Sequence, residues 1–335
     1  MSDAADREQR NGEGMNIVVT GAAGFIGSHL SEALCASGHD VLGVDCITDY
    51  YDPKEKQRNL AALSQHPGFR FEQADLRTAD LRPLLDQASV VFHQAGQPGV
   101  RKSWSTGFND YCEHNVKATQ RLLEAAKAVE TPRFVYASSS SVYGNALAYP
   151  VVETDLPRPF SPYGVTKLAA EHLCCLYAAN WGVPTVSLRY FTVYGPRQRP
   201  DMAMRRLADA AVFGSPFSLF GDGRQVRDFT FVSDVVAANL AAGFEDVPPG
   251  SVVNIAGGSH AEMSEVITLI GELAGAPVVL NREPKEAGDV QRTGGSIDRA
   301  HELLGWEPVV SLRDGLAAQV AWSQSMFKLQ VASVA

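Results

Sequence analysis

The sequence predicts a doubly wound α/β fold, a parallel sheet wrapped by helices, followed by a smaller region of different architecture. Three observations predict it. From Met15 onward, short apolar, β-branched runs alternate with amphipathic segments of helical length, the pattern of buried strands joined by crossover helices. The first run leads directly into Gly21-Ala-Ala-Gly24-Phe-Ile-Gly27 and then a helical pattern. Beyond Tyr190 the alternation lapses, and Gly and Pro become frequent between Gly195 and Gly223, which marks a change of organisation.

In chain order, strands are expected at Asn16 to Thr20, Val41 to Asp45, Phe69 to Ala74, Val90 to His93, Arg133 to Ser138 and Thr185 to Tyr190. Between them helices are expected near Phe25 to Ala36, Leu81 to Asp86, Phe108 to Val129 and Tyr163 to Ala179, several with Gly or Pro at their ends. The later region should hold strands at Arg227 to Val232 and Ser251 to Ile255, and helices near Met202 to Phe213, Ser264 to Leu273 and Leu312 to Met326. Ser264 before Glu265 reads as the N-cap of the second of these helices. The chain then divides into a disordered leader at 1–14, a dinucleotide-binding domain at 15–195 with strand segments returning from about 227–257, and a ligand-binding domain formed by 196–226 and 258–330.

Composition bounds the function. The 335 residues are 45% hydrophobic and 20% charged, an ordinary globular balance that supports a sizeable core. Twenty-nine Lys and Arg against 38 Asp and Glu give a formal charge of −9, which argues against a general affinity for nucleic acid or an anionic membrane. The leader is polar and lacks the apolar stretch of a secretory signal, and no apolar run is long enough to span a bilayer. Five cysteines without C-x-x-C spacing fit reduced thiols in a cytoplasm. Cys174 and Cys175 read as helix packing residues, His93 as a hydrogen-bonded structural histidine, and no metal cluster is expected.

The glycine run follows a strand and opens a helix, the context of a dinucleotide site. Gly21 permits the tight turn, Gly24 lets backbone N–H groups approach a pyrophosphate, and Gly27 lets helix and strand pack closely. Asp45 closes the second strand, where a carboxylate accepts hydrogen bonds from both ribose hydroxyls and repels a 2′-phosphate. Cys46 and Ile47 follow it with no Arg or Lys, so the expected cofactor is NAD rather than NADP. Asp75, just past the third strand, is placed to hold the adenine edge or to be a solvated strand-end acid.

Tyr163 and Lys167 stand at i and i+4 at a helix start, on one face. A phenol needs its pKa lowered from about 10 to act as a base near neutral pH, and a neighbouring ammonium favours the phenolate. Upstream, Tyr136-Ala-Ser138-Ser139-Ser140-Ser141-Val-Tyr143-Gly144 places hydroxyls at a strand's carboxyl end, the ligand side of an open α/β sheet.

These motifs resemble the extended short-chain dehydrogenase/reductases, specifically the nucleotide-sugar epimerases and dehydratases. The likeness runs from about Asn16 to Trp322, through Gly21 to Leu30, Ser138 to Gly144, Ser161 to Lys167, Leu188 to Gly195 and Gly221 to Asp234. It implies NAD held through the cycle, with further cofactor contacts from Phe25, Ile26, Leu76, Gln94, Ala95, Tyr190 and Val193. It implies a UDP-sugar substrate, Tyr163 as the base that takes the O4 proton, Ser139 as its partner, and Lys167 holding the nicotinamide ribose as well. The helices around 108–129 and 162–180 correspond to those that pair across a two-fold axis in the family, so a homodimer is expected.

The residues after Ser139 narrow the chemistry. The 4,6-dehydratases of the family carry Asp-Glu there and the UDP-glucuronate decarboxylases a Glu at the second position, whereas this chain has Ser140 and Ser141. With Gln97-Pro-Gly-Val-Arg101, Arg189-Tyr-Phe-Thr192 and Arg199-Pro-Asp-Met, the chain looks most like UDP-glucuronate 4-epimerases. Oxidising glucuronate at C4 makes a β-keto acid that loses CO2 unless its carboxylate is pinned. Ser140, Ser141 and Thr192 offer hydroxyl donors, and Arg199 or Arg101 charge-assisted bonds. Arg227 matches the family's diphosphate-binding arginine. Lys285-Glu-Ala-Gly288-Asp289 departs from the family by lacking an arginine before its Gly-Asp, leaving Asp289 as the substrate-binding candidate there. The competing expectations are a UDP-glucose or UDP-N-acetylglucosamine 4-epimerase, a UDP-glucuronate decarboxylase, and a non-catalytic NAD-sensing regulator.

Overall fold

The computed structural model describes residues 14–285 and 289–334, so the leader, apart from Gly14, lies outside the described residues. Seven parallel strands form the main sheet: β1 (Asn16–Thr20), β2 (Asp40–Asp45), β3 (Phe69–Gln73), β4 (Val90–His93), β5 (Phe134–Ser139), β6 (Thr185–Tyr190) and β10 (Ser251–Ile255), in the order β10-β6-β5-β4-β1-β2-β3. All six pairings are parallel. Strand order reverses between β1 and β4, where a doubly wound sheet opens its ligand crevice.

Both faces of the sheet are covered, as the apolar strands require. Alternate residues of β1 divide between two cores. Ile17 and Val19 pack with Leu30 and Leu34 of α1 (Phe25–Ala36) and Val235 of α8 (Val232–Phe244), while Val18 packs on the other face with Leu122 of α5 (Ala118–Ala128) and Ala170 of α6 (Pro162–Trp181). Each large side chain so buried contributes on the order of 1.5–3 kcal/mol.

Several boundaries differ from the sequence reading. The long helix expected over Phe108 to Val129 is α4 (Phe108–Tyr111), a π-helical stretch at Cys112–Lys117, and then α5; the wider turn is invisible to a 3.6-residue pattern. The helix α2 (Pro53–Leu63) was not expected, although its start is marked by Pro53 at the first position and by Asp52, whose Oδ1 accepts the Lys54 N–H at 3.0 Å. The short α3 (Arg82–Leu85) lies where a helix was expected.

Of the segments expected to return to the main sheet from 227–257, β10 does so and α8 covers the sheet. The strand β9 (Val226–Phe231) instead lies between β7 (Thr192–Tyr194) and β11 (Ser259–Glu262) in a separate three-stranded sheet. A further pair joins β8 (Phe217–Phe220) to β12 (Leu280–Glu283). The helices α7 (Ala203–Phe213), α9 (Met263–Ala274) and α11 (Leu312–Val334) pack a third core around Leu207, Phe229, Ile267 and Leu316, and α10 (Asp298–Leu304) packs on the first. The N-cap of α9 is Glu262, not Ser264: Glu262 and Glu265 form a reciprocal capping box that starts the helix ahead of Ser264.

Candidate active site

The carboxyl ends of β1, β2, β4, β5 and β6 open onto one cleft. At its floor Gly21 has φ +73°, and a Cβ on Gly27 would meet the Gly21 carbonyl oxygen at 2.1 Å, so the crossing of turn and helix excludes any side chain at Gly27. No side chain caps the N-terminus of α1 at Gly24, which leaves its first-turn N–H groups available to an anion. Gly21, Gly24, Phe25, Ile26, Gly27, Asp45, Asp75, Leu76, Gln94, Ala95, Tyr163, Lys167, Tyr190 and Arg199 all line this cleft. Val193 is buried in β7 and does not.

At the far end of the cleft Asp45 is buried and its Oδ1 accepts the Ile47 N–H at 2.8 Å. The expectation that no cation stands beside it is corrected: Lys56 of α2 places Nζ 3.7 Å from Asp45 and donates to Thr48 Oγ1 at 3.0 Å. The unexpected helix α2 brings it back to the strand end. Asp75 is gripped by Arg77 at 2.6 Å, and the hydrogen bonds from the Arg77 side chain hold its carboxyl below the usual carboxylate range. Gln94 is fixed by Asn239 and Tyr190, at 2.9 and 3.2 Å. The cleft thus supplies a glycine turn, a bare helix N-terminus and a ribose-facing carboxylate, a donor and acceptor set that fits a dinucleotide.

At the other end, Ser161 caps α6 through the Gly164 N–H at 3.1 Å, which sets Tyr163 and Lys167 in the first turns. The Tyr163 phenol stands beside Ser139, and its ring packs edge-on against Tyr111 at 6.1 Å. Burial raises the Tyr163 pKa, while the Ser139 hydroxyl and the charge of Arg199 pull it down. The sequence reading gave that task to Lys167. Its Nζ instead donates to the Ala137 carbonyl at 2.7 Å, and burial lowers its pKa to about 8. A Cβ on Gly96 would stand 3.0 Å from Asn115 Oδ1 and 3.4 Å from Lys167 Nζ, so the absence of a side chain there leaves room for the ammonium.

Asn115, in the π-helical stretch, accepts the Gln97 N–H at 2.6 Å and donates to the Gln97 carbonyl and to Thr166 Oγ1, each at 3.0 Å. It fixes the loop after β4 to α6, a role with no local sequence signature. His93 is buried between Thr20 and Thr119 at 2.7 and 2.9 Å, and its pKa is lowered to about 3 by burial, so it stays neutral.

The substrate candidates are less closely gathered. Arg199 lines the cleft, held by Asp201 at 3.0 and 3.1 Å. Ser140 and Ser141 form a short turn after β5, in which the Ser141 N–H donates to Ser139 Oγ at 3.1 Å. These two serines and Thr192, which begins β7, do not line the cleft. Arg101 is not brought into it either: its guanidinium stacks on Phe220, 4.0 Å from the ring centre. Arg227 and Asp289 engage each other at 2.7 Å, and neither lines the cleft.

The NAD dependent epimerase/dehydratase family model matches residues 17–256. A Bacillus subtilis UDP-glucose epimerase, itself uncharacterised, is 44% identical over 94% of this chain and 99% of its own. A UDP-glucuronate 4-epimerase of Thermodesulfobacterium geofontis is 34% identical over 93% of this chain and 97% of its own. The crystal structure of UDP-glucuronic acid 4-epimerase from Bacillus cereus, in complex with UDP-glucuronic acid and NAD, superposes with a TM-score of 0.89 at 42% identity, covering 93% of this chain and all of that one (100%). The glycine turn, Ser138 at the end of β5 and the Tyr163/Lys167 helix line one cleft in that chain order, and on that basis together with these matches the chain belongs to the NAD-dependent epimerase/dehydratase family.

Proposed function

We propose that this protein is an NAD-dependent 4-epimerase that interconverts UDP-glucuronate and UDP-galacturonate through a 4-keto intermediate. The observation that carries the substrate choice is Arg199, a guanidinium in the same cleft as Tyr163 and Lys167, with Ser140 and Ser141 where dehydratases and decarboxylases of the family carry acids. A cation on one side and no proton-relaying acid on the other suit a carboxylate that must be held while C4 is a ketone. NAD, when bound, supplies the two-electron acceptor and donor at C4. Tyr163 takes the proton of the O4 hydroxyl and returns it, Ser139 hydrogen-bonds the phenolic oxygen, and Lys167 holds the nicotinamide ribose. Gly21, Gly24 and Gly27 seat the pyrophosphate and Asp45 the adenosine ribose. Arg227 takes the UDP diphosphate.

The testing experiment incubates the purified protein with UDP-glucuronate, without added NAD, and follows the H4 and anomeric signals by proton NMR. UDP-galacturonate with little UDP-pentose is the expected outcome. Conversion of UDP-glucose with UDP-glucuronate untouched, even after NAD is supplied, replaces this reading with a neutral-sugar epimerase, the alternative that the B. subtilis relative favours.

Assembly and compartment form part of the proposal. Trp104, Phe108, Val165 and Trp181 are exposed, at 45%, 39%, 48% and 55%, on and beside α4 and α6, and an apolar surface on two adjacent helices favours a homodimer through them. All five cysteines are free thiols, which fits the reducing cytoplasm. Among the described residues no helix is long and apolar enough to cross a membrane.

A further inference from the structure

Two buried charges beside the cleft have no part in the chemistry above. Glu171 stands one helical turn beyond Lys167 on α6, and Arg189 lies in β6 in register with Ser138 of β5. Their side chains are only 2% and 4% exposed, where a lone charge is strongly disfavoured. Arg189 donates from Nη2 to Glu171 Oε1 at 2.6 Å and from Nε to Oε2 at 2.9 Å. Glu171 Oε2 also accepts the Ser138 hydroxyl at 2.6 Å. Arg189 Nη1 donates to the Tyr143 hydroxyl at 2.7 Å and the Glu153 carbonyl at 3.3 Å. Tyr143 in turn donates to Asn254 Oδ1 at 2.7 Å. One buried network therefore ties the catalytic helix to the carboxyl ends of β5, β6 and β10.

We propose that Glu171 and Arg189 are a positioning pair for the reaction: they clamp the Ser138–Ser139 strand end to the catalytic helix and so set how the Ser139 hydroxyl faces the Tyr163 phenol. Tyr163 sits on the helix and Ser139 on the strand, and apolar packing between the two permits small slides along the strand. A bidentate ion pair does not, because both of its bonds break when either partner shifts. Apolar residues of similar volume would hold helix and sheet together at least as strongly, since the two charges must be desolvated. What the pair adds is direction, delivered through Ser138 to its neighbour Ser139.

The reaction invoked is that of the 4-epimerase reading, so turnover is assayed with whichever UDP-hexose the unaltered protein converts. The Tyr163 ionisation midpoint is also read without substrate, from ultraviolet absorbance as the difference between each protein and its Tyr163→Phe counterpart. A failure of the substrate reading shows in the unaltered protein, and a failure of this one in the variants alone. Glu171→Gln should lower kcat about 10- to 100-fold with KM within about threefold, the signature of lost alignment, and move the Tyr163 midpoint upward. The double variant Glu171→Met/Arg189→Met should regain the thermal midpoint while keeping the low kcat and the raised phenol midpoint. Recovery of all three in the double variant would make the pair a folding device and overturn the proposal. So would a Glu171→Gln protein with kcat within about twofold of the unaltered one and an unmoved phenol. If Glu171→Gln fails to fold, the double variant and Ser138→Ala carry the same comparison: a raised phenol midpoint supports the proposal, and an unmoved one in both sinks it.

Discussion

Tyr163, the base of the proposed reaction, has surroundings that oppose its ionisation. Burial favours the neutral phenol, and the Ser139 hydroxyl and Arg199 charge work against that. Because turnover uses the phenolate, kcat should rise with pH through the neutral range. Removing either helper raises the phenol pKa further, so a smaller fraction is ionised at a given pH. Ser139→Ala should therefore displace the acid limb of the kcat profile upward and lower kcat at neutral pH by about 10- to 100-fold; a limb that stays in place would remove Ser139 from this role. At the other end of the cleft, Asp45 holds Lys56 at 3.7 Å. Asp45→Asn removes the charge that repels a 2′-phosphate and frees a cation that attracts one. NADPH binding, followed by its fluorescence, should then tighten about tenfold relative to NADH, and Asp45→Asn/Lys56→Gln should lose that gain.

At the scale of elements, the strand-to-helix crossing at Gly21 and Gly27 and the π-helical stretch decide how the cleft is shaped. A methyl group at Gly27 collides with backbone, not with a flexible side chain, so α1 must move off β1. Gly27→Ala should cost about 1–3 kcal/mol of stability in urea unfolding and abolish retention of bound dinucleotide through purification; full retention would contradict the tight crossing. The Asn115 side chain joins the loop at Gln97 to Thr166 of α6. Asn115→Leu leaves the Gln97 N–H without its acceptor, and a loss of about 1–3 kcal/mol is expected, with KM for the UDP-sugar little changed.

On the scale of the molecule, the exposed apolar residues of α4 and α6 make assembly testable without touching the chemistry. Val165 is 48% exposed on α6. Val165→Glu should turn a dimeric mass into a monomeric one by light scattering at micromolar concentration, because it would set a charge in the apolar contact proposed for α4 and α6. A monomeric mass for the unaltered protein would refute the dimer outright.

Much of this protein was fixed by its sequence through local rules. The period of the apolar runs marks the strands β1, β4, β6 and β10 to the residue, and Gly21, Gly24, Gly27, Tyr163 and Lys167 are legible because short-range geometry demands those residue types at those spacings, whereas Ser139 was singled out by the family resemblance. Other features depend on contacts between segments far apart in the chain. Lys56 reaches Asp45 through a helix whose Asp-Pro start was the one local signal for it. Asn115 acts from a π-helical stretch that periodicity reads as ordinary helix. Arg227 finds Asp289, and Arg101 finds Phe220 instead of the cleft. Glu171 and Arg189 read as ordinary charges until the sheet sets β6 beside β5 and buries both. Spacing along the chain determines which side chains share a face of one element; burial and charge pairing arise only when elements pack, and the electrostatics of the cleft were decided there.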